Sequence, residues 1–201
     1  MAEVAHEAGL AVHMDGARFA NALASSGVSP ADLTWRAGVD ALSLGATKNG
    51  GLACEAVIVF DPDKAAAFPY QRKRAGQTLS KGRFLGAQME AYLTDGLWLT
   101  LARRANAAAA RLSRGLAEAP GVRLAWPTEA NEVFVIVPNE LAAAWRAAGA
   151  KFHEWRTRSV APERAAREGE TTLRLVASFE TSDKEVDALI AAAAPHPRRN
   201  F

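Results

Sequence analysis

Short apolar runs alternate with stretches of helical spacing from the start of this chain, and that order restricts its architecture most. "LAVHMD" runs to Asp15, "VDALSLGA" runs into Thr47 and Lys48, and "CEAVIVF" runs into "DPDKAAAF". Between them, residues 1–8 have amphipathic helical spacing with Gly9 as a C-cap, and "ARFANALAS" resumes that spacing. Ser29 with Pro30, and the acidic "DPD", read as helix starts. Helix–strand–helix–strand order predicts an α/β architecture with a mostly parallel sheet. Residues 82–118 are alanine-rich and helical in pattern, with a break at Gly96. Past Pro120 the texture changes. "VRLAW", "EVFVIV" and "TLRLVASF" read as strands, and "NELAAAWRAAG" and "SDKEVDALIAAAA" as helices. The expectation is one domain over 1–119, a smaller α+β domain over 120–195, and a loose tail over 196–201.

Composition closes off several classes. The 201 residues are 49% hydrophobic and 23% charged with a net charge of +2, an ordinary globular balance. Positive and negative residues are mixed along the chain, which argues for a solvated surface and against nucleic-acid binding. The single cysteine, Cys54, excludes an internal disulfide and a Cys-based zinc cluster, and fits a reducing cytoplasm. No metal site is predicted. No apolar run approaches the ~20 residues of a membrane span. Glu3, His6 and Glu7 stand where a signal peptide would be apolar.

Strand ends carry the chemistry in open α/β sheets, because ligands collect at the carboxyl ends of the strands. Asp15 ends the first strand, with Arg18 three residues on, and Lys48 follows the second. Opposite charges at neighbouring strand ends are compatible with a structural ion pair. The type of cation points elsewhere. Only 6 of the 24 basic residues are lysine, yet lysine stands in "GATKNGG". Arginine stays protonated, whereas lysine can release its proton and attack a carbonyl. Pyridoxal phosphate enzymes need such a lysine, together with an acid that keeps the pyridine nitrogen protonated. Asp15 fits the second role, and Arg18 suits an anionic part of cofactor or substrate.

"HMDGARFANAL" followed by "VDALSLGATKNGG" resembles the low-specificity threonine aldolases, of the beta-eliminating lyase group of fold-type I pyridoxal phosphate enzymes. "RKRAGQTLSKGRFLGAQ" resembles the family's basic segment before its long helix, and "LRLVASFETSDKEVD" its terminal strand–helix unit. The resemblance implies that residues 1–119 are the C-terminal part of a cofactor-binding large domain. It also implies roles. Lys48 binds the cofactor covalently, Asp15 pairs with its ring nitrogen, and Arg18 sits by its phenolic oxygen and the substrate carboxylate. Arg174 grips that carboxylate, Arg83 reaches the cofactor phosphate of a neighbouring subunit, and Thr47 touches the phosphate. The implied activity cleaves L-threonine, L-allo-threonine and related β-hydroxy-α-amino acids to glycine and an aldehyde, in a homodimer or homotetramer.

Three readings remain open on the sequence: this aldolase, another fold-type I enzyme (an aminotransferase or a β-eliminating lyase), and a non-catalytic remnant. Family members begin with a long segment upstream of "HMDGAR" that supplies other parts of the site, and the 201 residues begin inside the helix before the Asp15 strand. His13 lies two positions before Asp15, so strand alternation predicts both on one face, with His13 supporting the strand end. Asn131 resembles a family position but is equally a strand-entry turn residue. "GATKNGG" lacks the spacing of a nucleotide phosphate loop.

Overall fold

The structure, a computed structural model, describes residues 1–156 and 161–194. The expected tail and its His196 lie outside the described residues. The chain divides into two compact units, Met1–Ala102 and the residues from Arg103 on. The division falls inside a long helix, whereas the change of sequence texture near residue 120 marks where the second set of strands begins.

In the first unit the elements run α1 (Ala2–Glu7), β1 (His13–Gly16), α2 (Phe19–Ser26), α3 (Pro30–Leu33), β2 (Ala41–Gly45) and β3 (Glu55–Val59). After them come α4 (Pro62–Ala65), α5 (Phe68–Arg74), α6 (Arg83–Leu93) and the start of α7 (Leu97–Ala117). Local chemistry sets several boundaries. Ser29 accepts from the Asp32 amide with Pro30 opening α3, and Asp61 does the same for Asp63 with Pro62 opening α4. The break expected at Gly96 is a tight turn over Thr94–Gly96, with Asp95 at φ 52°.

The strand order is β1-β2-β3, with β1 parallel to β2 and β2 antiparallel to β3. The expectation of a mostly parallel sheet therefore meets a mixed one. A parallel neighbour needs a crossover, usually a helix, and the link from β2 to β3 holds only the short turn at 47–49, so the chain returns alongside itself. Alternation separates the two faces. Met14, Leu42, Leu44, Ala56 and Ile58 turn towards Phe19, Leu23, Met89 and Trp98 in one core. The opposite face carries His13, Asp15, Ser43 and the exposed Val57.

The second unit contains the rest of α7, then β4 (Arg123–Leu124), β5 (Glu132–Pro138), α8 (Asn139–Ala147), β6 (His153–Glu154), β7 (Glu170–Val176) and α9 (Asp183–Ala191). Its sheet is antiparallel throughout, in the order β4-β5-β7-β6. Val133, Val135, Val137, Leu173 and Leu175 project from one face into a core with Ala109, Leu112, Leu116, Trp145 and Val186. Ser182 and Glu185 form a reciprocal cap on α9. The α/β reading and the two successive sheets thus agree with the order of elements in the sequence. Among the described residues no helix is long and apolar enough to cross a membrane.

Two tests follow from this packing. A Cβ at Gly115 of α7 would lie 2.3 Å from Ile190 Cδ1 and 2.8 Å from its Cγ1. In an open helix glycine-to-alanine gains up to ~1 kcal/mol, while overpacking costs about 1–3 kcal/mol. Gly115→Ala should therefore destabilise the protein by ~1 kcal/mol in denaturant titrations, and turn stabilising in an Ile190→Ala background. Stabilisation in the wild-type background would contradict this close approach.

The second test concerns Asp40, whose carboxylate accepts from the Val12 amide at 2.8 Å and faces His6 Nε2 at 2.9 Å, with Lys64 Nζ at 3.5 Å. These partners, the Val12 amide foremost, hold its pKa down to about 2. A depressed carboxylate stabilises the fold above its unfolded pKa of ~4 and loses that contribution as pH falls towards 2. Asp40→Asn should flatten the fall in stability between about pH 4 and 2, measured by urea titration at several pH values. An unchanged slope would show that these bonds do not favour the charged form.

Candidate functional site

The strand ends that lead to Asp15 and Lys48 adjoin because two backbones nearly touch. A Cβ on Gly45, the last residue of β2, would lie 2.8 Å from Ala17 Cα and 3.0 Å from Ala17 O. Ala17 is two residues past Asp15, and Gly45 three before Lys48. A side chain at 45 would push these segments apart, so glycine permits the juxtaposition. Strand pairing sets Asp15 directly beside Ser43, and the Ala17 amide donates to Asp15 Oδ1 at 2.9 Å, which fixes the carboxylate at the strand end. The carboxylate is otherwise exposed on the open face of the sheet. Arg18 is half-buried at the cap of α2.

Lys48 is exposed, but the turn that carries it is anchored from behind. The next residue, Asn49, is buried, and its Nδ2 donates to the Tyr92 hydroxyl at 2.8 Å and to Trp98 O at 2.9 Å. Both amide hydrogens are thus spent on α6 and the start of α7. Thr47 Oγ1 accepts from the Cys54 amide at 3.0 Å and donates to Cys54 O at 3.3 Å, closing the two ends of the loop. Glu55 accepts from the Thr47 amide at 3.3 Å, and Gln88 from the Leu52 amide at 2.7 Å. The Cys54 thiol donates to Leu85 O at 3.1 Å.

The same scaffold reaches the Asp15 side. Trp98 lies edge-on to Tyr92 and stacks on Phe19, the first residue of α2, with centroids 6.3 and 6.2 Å apart. Burial pushes the Tyr92 hydroxyl and the Cys54 thiol up from their ordinary values, and the nearby Glu55 charge adds to both. Neither is thereby made a nucleophile; both are neutral hydrogen-bonding struts.

Motif reading singled out Lys48, Asp15 and Arg18 but not these supports. Asn49 was in view within "TKNG" without a role, while Tyr92 is 43 residues away and carries no local signal. His13 Nε2 hydrogen-bonds Ser43 Oγ at 2.8 Å on the Asp15 face. Alternation pointed to His13, and only the strand register supplies Ser43. Arg83 opens α6, exposed, with its guanidinium 5.2 Å from the Phe84 ring centre.

Arg174 belongs to the second unit. It lies on β7 opposite Phe134 of β5 and His153 of β6. Its Nε donates to Glu132 Oε1 at 2.7 Å, and its Nη2 meets the same oxygen. The Trp155 ring centre lies 5.3 Å from its guanidinium carbon.

Known proteins resemble the chain in sequence and in fold. The Low specificity L-threonine aldolase of Pseudomonas aeruginosa is 48% identical over 147 residues, 73% of this chain and 42% of that protein. A solved Threonine Aldolase from Leishmania major superposes with a TM-score of 0.82 at 30% identity, covering 96% of this chain and 53% of that one. Serine palmitoyltransferase from Sphingomonas wittichii shares the fold, with a TM-score of 0.65 at 18% identity over 96% of this chain and 48% of its own. The chain thus spans less than half the length of the curated relative, and its α/β architecture is that of part of a fold-type I enzyme. The family described as Beta-eliminating lyase matches residues 1–140, well over half of the sequence. The chain belongs to the beta-eliminating lyase family.

Proposed function

We propose that the protein is a pyridoxal-phosphate-dependent lyase that cleaves L-threonine, L-allo-threonine and related β-hydroxy-α-amino acids to glycine and an aldehyde. The observation that carries this reading is that the strand ends leading to Asp15 and Lys48 adjoin, through the pairing of β1 with β2 and the Gly45–Ala17 approach. The donor set fits the cofactor. An acid suits a ring nitrogen that must stay protonated, an amine suits an aldehyde, and the open sheet face beside Asp15 suits a flat ring.

When bound, the cofactor supplies an aldehyde carbon for an amine and a cationic ring that accepts the electron pair left at Cα. The chain's residues do the rest. Asp15 would accept from the ring N–H, with the Ala17 amide holding its Oδ1. Lys48 would hold the cofactor through Nζ, its amine being the nucleophile that suits an aldehyde carbon. Arg18 would hold the cofactor's phenolic oxygen and the substrate carboxylate. Arg174 receives that carboxylate, as a planar fork suits two oxygens. Arg83 would hold the cofactor phosphate of a neighbouring subunit, in a homodimer or homotetramer. Thr47, whose hydroxyl makes only a long bond to Cys54 O, would offer that hydroxyl to the cofactor phosphate. The setting is the cytoplasm.

Two measurements test this. With pyridoxal phosphate, the wild-type protein should show the long-wavelength absorbance of a protein-bound imine, and after borohydride reduction a cofactor adduct on the Lys48 peptide. Lys48→Ala should lose both, and an unchanged spectrum in that variant would defeat the assignment. Incubation with L-threonine should release acetaldehyde and glycine in equal amounts. Ammonia or a keto acid instead would point to another reaction of the same cofactor.

A further inference from the structure

The face of the second unit's sheet turned away from its helices carries Trp126, Phe134 and Trp155 in a row. Their centroids are 5.3 and 5.4 Å apart, and each pair meets edge to face. Arg174 ends this row, its guanidinium over Trp155. How that guanidinium is held is informative. A guanidinium has a side edge, formed by Nε–H and one Nη2–H, and an end edge, formed by Nη1 and the other Nη2–H. Each edge matches a carboxylate. Both side-edge donors converge on one oxygen, Glu132 Oε1. Among the described residues nothing hydrogen-bonds to the end edge.

We propose that Glu132 is a positioning residue for carboxylate recognition by Arg174. It occupies the side edge so that the end edge is presented, already oriented, to an amino acid carboxylate. This rests on the reading of Arg174 as the substrate-carboxylate contact. Three constraints act on one side chain. Trp155 covers a face, Glu132 holds one edge, and the pairing of β7 with both β5 and β6 fixes the stem. A free arginine would have to be ordered when the ligand binds, which weakens affinity, and here that ordering is built in. The side chains of both partners are about three-quarters buried, at 22% and 25% exposure, so screening by water is reduced.

A competing account makes Glu132 an internal carboxylate that the ligand must displace. The two accounts predict opposite effects. Acetate can be titrated into the full chain at constant ionic strength, following the Arg174 Nε–H NMR signal assigned through Arg174→Lys. No cofactor is needed, so the outcome is independent of the Lys48 assignment. Glu132→Gln keeps an oxygen acceptor in place without the charge, and should bind acetate at least as tightly as wild type. Glu132→Asp keeps the charge but withdraws the oxygen, and should bind about five- to tenfold more weakly, the ordering penalty of one long side chain. Glu132→Ala should match the Asp variant, and thermal melts establish that each is folded. Equal or tighter binding by the Asp or Ala variant, or no effect of acetate on Arg174 in the wild type, would overturn the proposal.

Discussion

A single missing side chain governs the arrangement of the candidate site. At position 45 the end of β2 passes so near Ala17 that only a hydrogen atom fits between them. The loop after β1 and the loop after β2 are thereby brought into contact. Asp15 sits at the base of the first and Lys48 on the second. Sheet geometry alone would leave neighbouring strand ends ~4.8 Å apart with loops free to diverge. The glycine removes that freedom, and the Asn49–Tyr92–Trp98–Phe19 chain of contacts ties both loops to the same helices.

This division of labour has a physical logic. Asp15 is exposed on the open sheet face and Lys48 on the turn after β2, where an isolated side chain would be mobile. Their neighbours in sequence are the buried ones. Asn49 is spent on two acceptors, and Phe19 is packed under Trp98. Reactive groups are thus free to meet a ligand, while the peptide that carries them is held by bonds they do not make. Arg174 in the second unit is treated differently. Its own side chain is fixed, by Glu132 along one edge and Trp155 on one face.

Local features were legible in the sequence where the physics is local. The caps at Ser29 and Asp61 form as their sequences predict, because a side-chain oxygen within three residues of an orphan amide needs no distant partner. The break at Gly96 is of the same kind. What was not legible depends on register and distance. The antiparallel return of β3 follows from the length of a loop, while the His13–Ser43 bond needs the exact pairing of β1 with β2. Tyr92 has no motif, and Glu132 reads as an ordinary strand residue until β5 is laid beside β7. The division of the chain inside α7 was also hidden, since helical periodicity runs unbroken through Ala102.

The central claim is that Asp15 and Lys48 form one site because their loops are held in contact, and a crystal structure of the protein soaked with pyridoxal phosphate tests it most directly. The account predicts continuous density from Lys48 Nζ to the cofactor, with the ring nitrogen at hydrogen-bond distance, ~2.7–3.2 Å, from the Asp15 carboxylate. A cofactor joined to another lysine, or a ring whose nitrogen points away from Asp15, would contradict it.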